Sequence, residues 1–210
     1  MFPIEVLMPY LAACLLVVIA PGPDNILAIG RGLSQGRGAA ILSATGAGIG
    51  ILFHTLAAAL GLSVLIQASE TVFWVVKAIG AVYLVWLGYK ALTTKNLIAF
   101  APAAHLPLHR IFISGALSNI LNPKPGLFVL AFLPQFVDAG RGSVTTQMLV
   151  YGALFATMTT VVFSLLGGFA HRLATWLKAR PKVTAGLNIG AGVTFIVSGV
   201  SVLALKSRAN

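Results

Sequence analysis

The sequence predicts an all-α membrane protein whose six transmembrane helices form two inverted three-helix repeats, and three observations predict it. Hydrophobic residues make up 58% of the 210 and charged residues 9%, so apolar runs free of charge recur along the whole chain; that composition belongs to polytopic membrane proteins. Most Lys and Arg stand at the ends of those runs, so the net charge of +10 reads as a topology signal and not as a nucleic-acid patch. The same proline and glycine motifs also recur, in the same order, in both halves.

Charges and turn residues bound spans near 4–30, 39–66, 71–93, 111–137, 144–170 and 183–205. All are expected to be helical, because an open strand edge leaves backbone groups unpaired in lipid. The first opens on Met1-Phe2-Pro3-Ile4-Glu5, lacks a basic leader and runs apolar to Pro23, so it is expected to be retained and not cleaved. Its Cys14 is the single cysteine, which excludes an intrachain disulfide. The second carries no charge between Arg37 and Glu70, longer than one straight crossing, which implies tilt or an interfacial end. Lys77 lies early enough in the third to snorkel to the nearer surface. The fourth, apolar from Ile111 to Val137, is long enough for a core of about 30 Å at about 1.5 Å per residue, yet holds Lys124 near its centre. A cation there requires a partner, a ligand or water.

Nine cations fall in the first, third and fifth connections: Arg31, Arg37, Lys90, Lys95, Arg110, Arg172, Lys178, Arg180 and Lys182. Four lie toward the other side: Lys77, Arg141, Lys206 and Arg208. The positive-inside rule places loops 1, 3 and 5 in the cytoplasm and both termini outside. A five-span arrangement, with one segment only partly inserted, places the amino terminus inside instead.

Pro21-Gly22-Pro23 matches Pro123-Lys124-Pro125, Gly36-Arg37-Gly38 matches Gly140-Arg141-Gly142, and Ile79-Gly80-Ala81 matches Ile189-Gly190-Ala191. Three spans per copy is an odd number, so the second copy must be inverted. The halves are then residues 1–95 and 111–210, joined by a cytoplasmic linker at 96–110, within one transmembrane domain.

A proline inside a helix removes a donor and clashes with the preceding turn, so two prolines one residue apart interrupt a span outright. Asp24-Asn25 follow the first break, and Asn119 and Asn122 precede the second. New half-helices begin near Pro23 and Pro125, with amides that attract anions, while the carbonyls before each break attract cations. If the breaks meet at the midplane, Asp24 and Lys124 come within reach of one another and a small zwitterion fits between them, its carboxylate toward Lys124 and its ammonium toward Asp24. The competing reading is structural: Asp24 caps its half-helix and Lys124 pairs with it permanently. Asp24 is also the carboxylate placed well inside a span, which makes it the candidate for proton coupling. Substrate and translocation candidates are Pro21, Gly22, Pro23, Asp24, Asn25, Asn119, Asn122, Pro123, Lys124 and Pro125, with Gln135 and Tyr83 along the path. His54 reads as packing before relay. Gly46-x-x-x-Gly50 and Gly186-x-x-x-Gly190 read as close helix contacts, and Trp86 and Tyr89 as an interfacial belt.

An intramembrane serine protease wants Gly-x-Ser-Gly, and Gly61-Leu62-Ser63 runs into Val64. His105 and His109 lack a nearby carboxylate or thiol, so no metal site and no cofactor is expected. No ring of charge or repeated carbonyl filter marks a channel.

The chain resembles the lysine exporter superfamily, and within it the homoserine and threonine exporter (LysE/RhtB) branch. The resemblance rests on Pro21-Gly22-Pro23, on Gly32 and Gly36 with the small-residue second span, on Lys77-Ala78-Ile79-Gly80-Ala81-Val82-Tyr83-Leu84-Val85-Trp86-Leu87-Gly88, and on Asn122-Pro123-Lys124 leading to Leu133-Pro134-Gln135-Phe136-Val137. It implies a six-span bacterial inner-membrane protein that exports an amino acid or close derivative, driven by protons, and not an enzyme. Cation or other metabolite export has relatives in the same superfamily. The expected partners are a small-molecule substrate, protons and the bilayer, with self-association left open.

Overall fold

The computed structural model describes residues 2–20, 22–68, 70–93 and 101–204, and every regular element among them is helical. Pro21 and Lys95 fall outside the described residues, as do the side chains of Lys77 and Lys178.

Helix α1 (Ile4–Ile19) stops at Ala20, and α2 (Pro23–Ala68) starts three residues later. The expected first span is therefore interrupted at its centre and continues helical past residue 30. α2 changes direction at Gly36, whose φ of 80° and ψ of −172° are non-helical. Glycine adopts that left-handed φ without the Cβ clash that other residues meet. Residues 23–35 thus form a half-helix between two breaks, and the rest of α2 a separate span. α3 is Glu70–Thr93.

The second half opens on extended residues 101–107, and α4 (Leu108–Ile120) begins earlier than expected, so Arg110 is helical and not linker. Pro107 explains the start: it precedes the first turn, where its missing N–H costs nothing. The chain breaks at Leu121 and Asn122 and restarts as α5 (Pro123–Leu127), followed by a π-helical turn (Phe128–Phe132) and a 3-10 turn (Leu133–Phe136). α4 and this second segment are bent by 50°. The short turn Ala139–Arg141 ends at Gly142, which has a φ of 119° and a ψ of −167°, close to the geometry at Gly36. α6 (Val144–Gly168), α7 (Ala170–Lys178) and α8 (Pro181–Ala204) complete the chain. α7 occupies most of 171–182, which the sequence predicts to be a basic connection.

Among the described residues, two stretches are long and apolar enough to cross a bilayer, Pro23–Gly61 and Val144–Gly168, or three if the bent pair Leu108–Ile120 and Pro123–Phe136 counts as one. α1 misses by length alone: its 16 residues reach about 24 Å at about 1.5 Å per residue. The same proline chemistry that creates the break shortens the helix.

α2 packs most extensively against α6 and α4, and α3 against α8. Small residues set these contacts. A Cβ on Gly46 would lie 2.3 Å from the Phe112 carbonyl, one on Gly115 2.3 Å from the Ser43 carbonyl, and one on Gly50 2.6 Å from Asn119 Cβ, so α2 and α4 run side by side in parallel. Against α6, the contacts Ala40 to Gly167, Gly48 to Thr160 and Thr55 to Gly152 run in opposite sequence order, which makes that pair antiparallel. Gly88 against Gly192 and Gly199 against Ala81 make α3 and α8 antiparallel as well. Gly46 and Gly50 are the close contacts expected of them. Gly186 is not, because a Cβ there meets open space.

The core gathers where α1, α6 and the π turn meet. Tyr10 donates from its hydroxyl to the Tyr151 carbonyl at 2.6 Å and packs on Phe136, while Phe128 stacks on Phe132 and meets Phe155. Cys14 is buried in that core, a packing role. Large apolar side chains such as Met8, Leu60, Val82, Leu121, Val161 and Val197 stand exposed around the outside, a surface that only lipid or another apolar phase covers favourably.

Candidate functional site

Each broken helix places the second residue of its restarted segment in the other's break. Lys124, the second residue of α5, is 6% exposed. A cation is disfavoured at the amino end of its own half-helix and favoured at a carboxyl end. Its Nζ accordingly reaches the end of α1, donating to the carbonyls of Ala20 at 3.0 Å and Val17 at 3.4 Å. Gly22 makes room: a Cβ there would lie 2.8 Å from Nζ.

Asp24, the second residue of α2, is 4% exposed and enters the end of α4. Its Oδ1 accepts from Ser118 Oγ at 2.8 Å; its Oδ2 accepts from Asn119 Nδ2 at 2.8 Å and Asn122 Nδ2 at 2.9 Å. Three donors satisfy one buried carboxylate, the arrangement that keeps a charge tolerable away from water. Each break is also tied internally. Asn25 accepts from the Gly22 amide at 2.8 Å and donates to the Ala20 carbonyl at 2.9 Å, while Asn122 accepts from the Lys124 amide at 3.0 Å.

Among the described residues the ion pair is Arg141 with Asp138 at 3.0 Å, so Asp24 and Lys124 are not bonded to each other. The direct Asp24–Lys124 contact of the competing structural reading is therefore absent. Gly22, Asp24, Asn25, Asn119, Asn122 and Lys124 come together. Pro23 and Pro123 start their half-helices, and Pro125 is buried beside Lys124. The new half-helix thus begins at Pro123, one proline earlier than expected. Pro21 lies outside the described residues. Gln135 donates to the Ala131 carbonyl of its own segment at 3.1 Å, and the Tyr83 ring lies 5.3 Å from Trp86 on α3, so both are held by local partners.

Ser118 and the carbonyls of Val17 and Ala20 were not anticipated. Ser118 had a readable signal, standing four residues before Asn122 on the same helical face. Backbone acceptors carry none. His54 is hydrogen-bonded packing, as expected of it: its Nε2 lies 3.1 Å from the Asn119 carbonyl, and its ring also lines a cavity of about 390 Å³ beside the second break. Ala57, Ala58, Leu127 and Leu130 make that cavity mostly apolar, and Asn122, an Asp24 donor, forms part of its wall.

Buried opposite charges at two interrupted helices under an apolar exterior mark the class, a membrane protein with a polar interior. The LysE type translocator profile matches residues 15–206, and the chain belongs to that family. It is similar to a leucine efflux protein of Enterobacter sp. (strain 638), 30% identical over 196 residues that cover 89% of this chain and 90% of the relative. It is likewise similar to a homoserine/homoserine lactone efflux protein of Salmonella typhimurium, 29% identical over 191 residues with 90% and 92% covered. An uncharacterized membrane protein of Bacillus subtilis is 29% identical over 203 residues, with 89% and 96% covered. No solved structure matches.

Proposed function

We propose that this chain is a secondary transporter of the bacterial inner membrane that exports an amino acid or close derivative by proton antiport, binding it between Asp24 and Lys124. One observation carries the reading: the reciprocal insertion of those two residues into opposite helix breaks. A zwitterion substitutes for the interactions each now makes. Its carboxylate takes the Lys124 ammonium from the Val17 and Ala20 carbonyls, and its ammonium takes those carbonyls or the Asp24 carboxylate. Gly22 and Asn25 shape one break, Asn119 and Asn122 the other, and Pro21, Pro23, Pro123 and Pro125 maintain both. Gln135 and Tyr83 flank the path further out. Protonation of Asp24 couples transport to the pH gradient, because a neutral carboxyl holds neither the three donors nor a substrate ammonium as strongly.

The six-span inverted repeat, residues 1–95 and 111–210, is part of the proposal. Parallel α2 and α4 with antiparallel α2/α6 and α3/α8 suit an in-plane pseudo-two-fold axis, with loops 1, 3 and 5 cytoplasmic. The paired landmarks become Pro23 with Pro123 and Gly36 with Gly142. That register makes Asp24 and Lys124 counterparts, and alternating access then exchanges which break is open. Counterflow of a panel of labelled amino acids into vesicles carrying the protein tests the class. Saturable uptake accelerated by a pH gradient is expected; no uptake of any amino acid with rapid flux of a cation contradicts it.

A further inference from the structure

We propose that the corner between α6 and α7 is a headgroup site for an anionic phospholipid. α7 buries Ala170, Ala174 and Leu177 against the protein and turns Phe169, Arg172 and Trp176 outward, one stripe at helical spacing followed by Arg180. Both rings are nearly half exposed, 45% for Phe169 and 44% for Trp176. A cation covers each: the Arg37 guanidinium lies 5.0 Å from the Phe169 centroid, and that of Arg180 4.7 Å from Trp176. Arg37 also donates from Nε to the Gly168 carbonyl at 3.2 Å, using one of its five N–H groups. Exposed Arg172 stands between the two ring–cation pairs, and exposed Lys182 follows them.

Among the described residues no acidic side chain is paired with these cations. No Asp or Glu follows Asp138 in the sequence; Asp138 itself pairs with Arg141, and Asp24 is enclosed at the breaks. An anion from the surrounding membrane suits them. In a membrane protein, half-exposed rings alternating with guanidinium groups suit the headgroup layer, where rings meet glycerol and upper acyl chain and the forks of arginine meet a phosphodiester. Soluble anions offer the charge without the apolar partner for Phe169 and Trp176. The inference is independent of the substrate and of which leaflet this end faces.

Trp176 is its own reporter. With Trp74→Phe and Trp86→Phe, vesicles containing a minor fraction of brominated phosphatidylglycerol should quench Trp176 more than vesicles with the same fraction of brominated phosphatidylcholine. Arg37→Gln, Arg172→Gln and Arg180→Gln together should reduce that preference by roughly two orders of magnitude, since each surface cation contributes about a fivefold factor. Exposed Arg172→Gln alone should lower it partly if the triple variant does not fold. Soluble glycerol phosphate should not relieve the quenching. Equal quenching by the two lipids, a preference untouched by the substitutions, or its relief by glycerol phosphate would each overturn the site.

Discussion

Asp24 and Lys124 are each satisfied, and neither is satisfied by the other. That arrangement makes the two residues separable by mutation. Asp24→Asn replaces a carboxylate that accepts three bonds with an amide that brings its own donors, so at least one of Ser118, Asn119 and Asn122 loses its partner. An unsatisfied buried group costs about 1–3 kcal/mol, and a thermal-unfolding series in detergent should show a loss of that size. The same variant should no longer respond to a pH gradient; unchanged coupling removes Asp24 from the proton path. His54→Leu deletes the contact to the Asn119 carbonyl and adds apolar bulk to the cavity wall. Its stability should fall by about 1 kcal/mol, while the fold, read by circular dichroism, is kept.

At the scale of elements, glycine contacts predict opposite outcomes for the same substitution. Gly46→Ala puts a methyl 2.3 Å from the Phe112 carbonyl and should destabilise the α2/α4 pair by about 1–3 kcal/mol. Gly186→Ala meets open space and should gain up to about 1 kcal/mol of helix propensity. Paired melting curves check both signs. The linker supplies another case. Residues 101–106 lie along the half-helix at 23–35: Ala103 donates to the Gly30 carbonyl at 3.0 Å, Arg31 to the Ala104 carbonyl, and Gln35 exchanges two bonds with Leu106 at 2.8 and 2.9 Å. Gln35→Leu removes both Leu106 bonds, so hydrogen exchange at the Leu106 amide should accelerate by about tenfold or more. Such features explain what the sequence could and could not disclose. Proline pairs locate breaks because proline acts on its own backbone, so both interruptions were legible. Which proline restarts the helix depends on caps such as Asn122, and the partner of Gly46 depends on a helix that sequence does not place. α7 carries a readable signal, Ala170, Leu173, Ala174 and Leu177 at i, i+3, i+4 and i+7, which its cations mask when the stretch is read by charge alone.

For the whole molecule, two hinges bound the half-helix that carries Asp24: the break at residues 20–22 and the left-handed Gly36. The stretch from Pro123 to Gly142 is longer and is wound through π and 3-10 turns. In the proposed function these segments together bind a zwitterion through Lys124 and Asp24. Counterflow titration in vesicles, comparing the unaltered protein with Lys124→Met, tests it most directly. Truncating a buried charged partner costs 2 kcal/mol or more, so the half-saturating concentration should rise by about 30-fold or more while the protein stays folded. An unchanged half-saturation in folded Lys124→Met would contradict the account and leave Lys124 as a structural strut between α1 and α5.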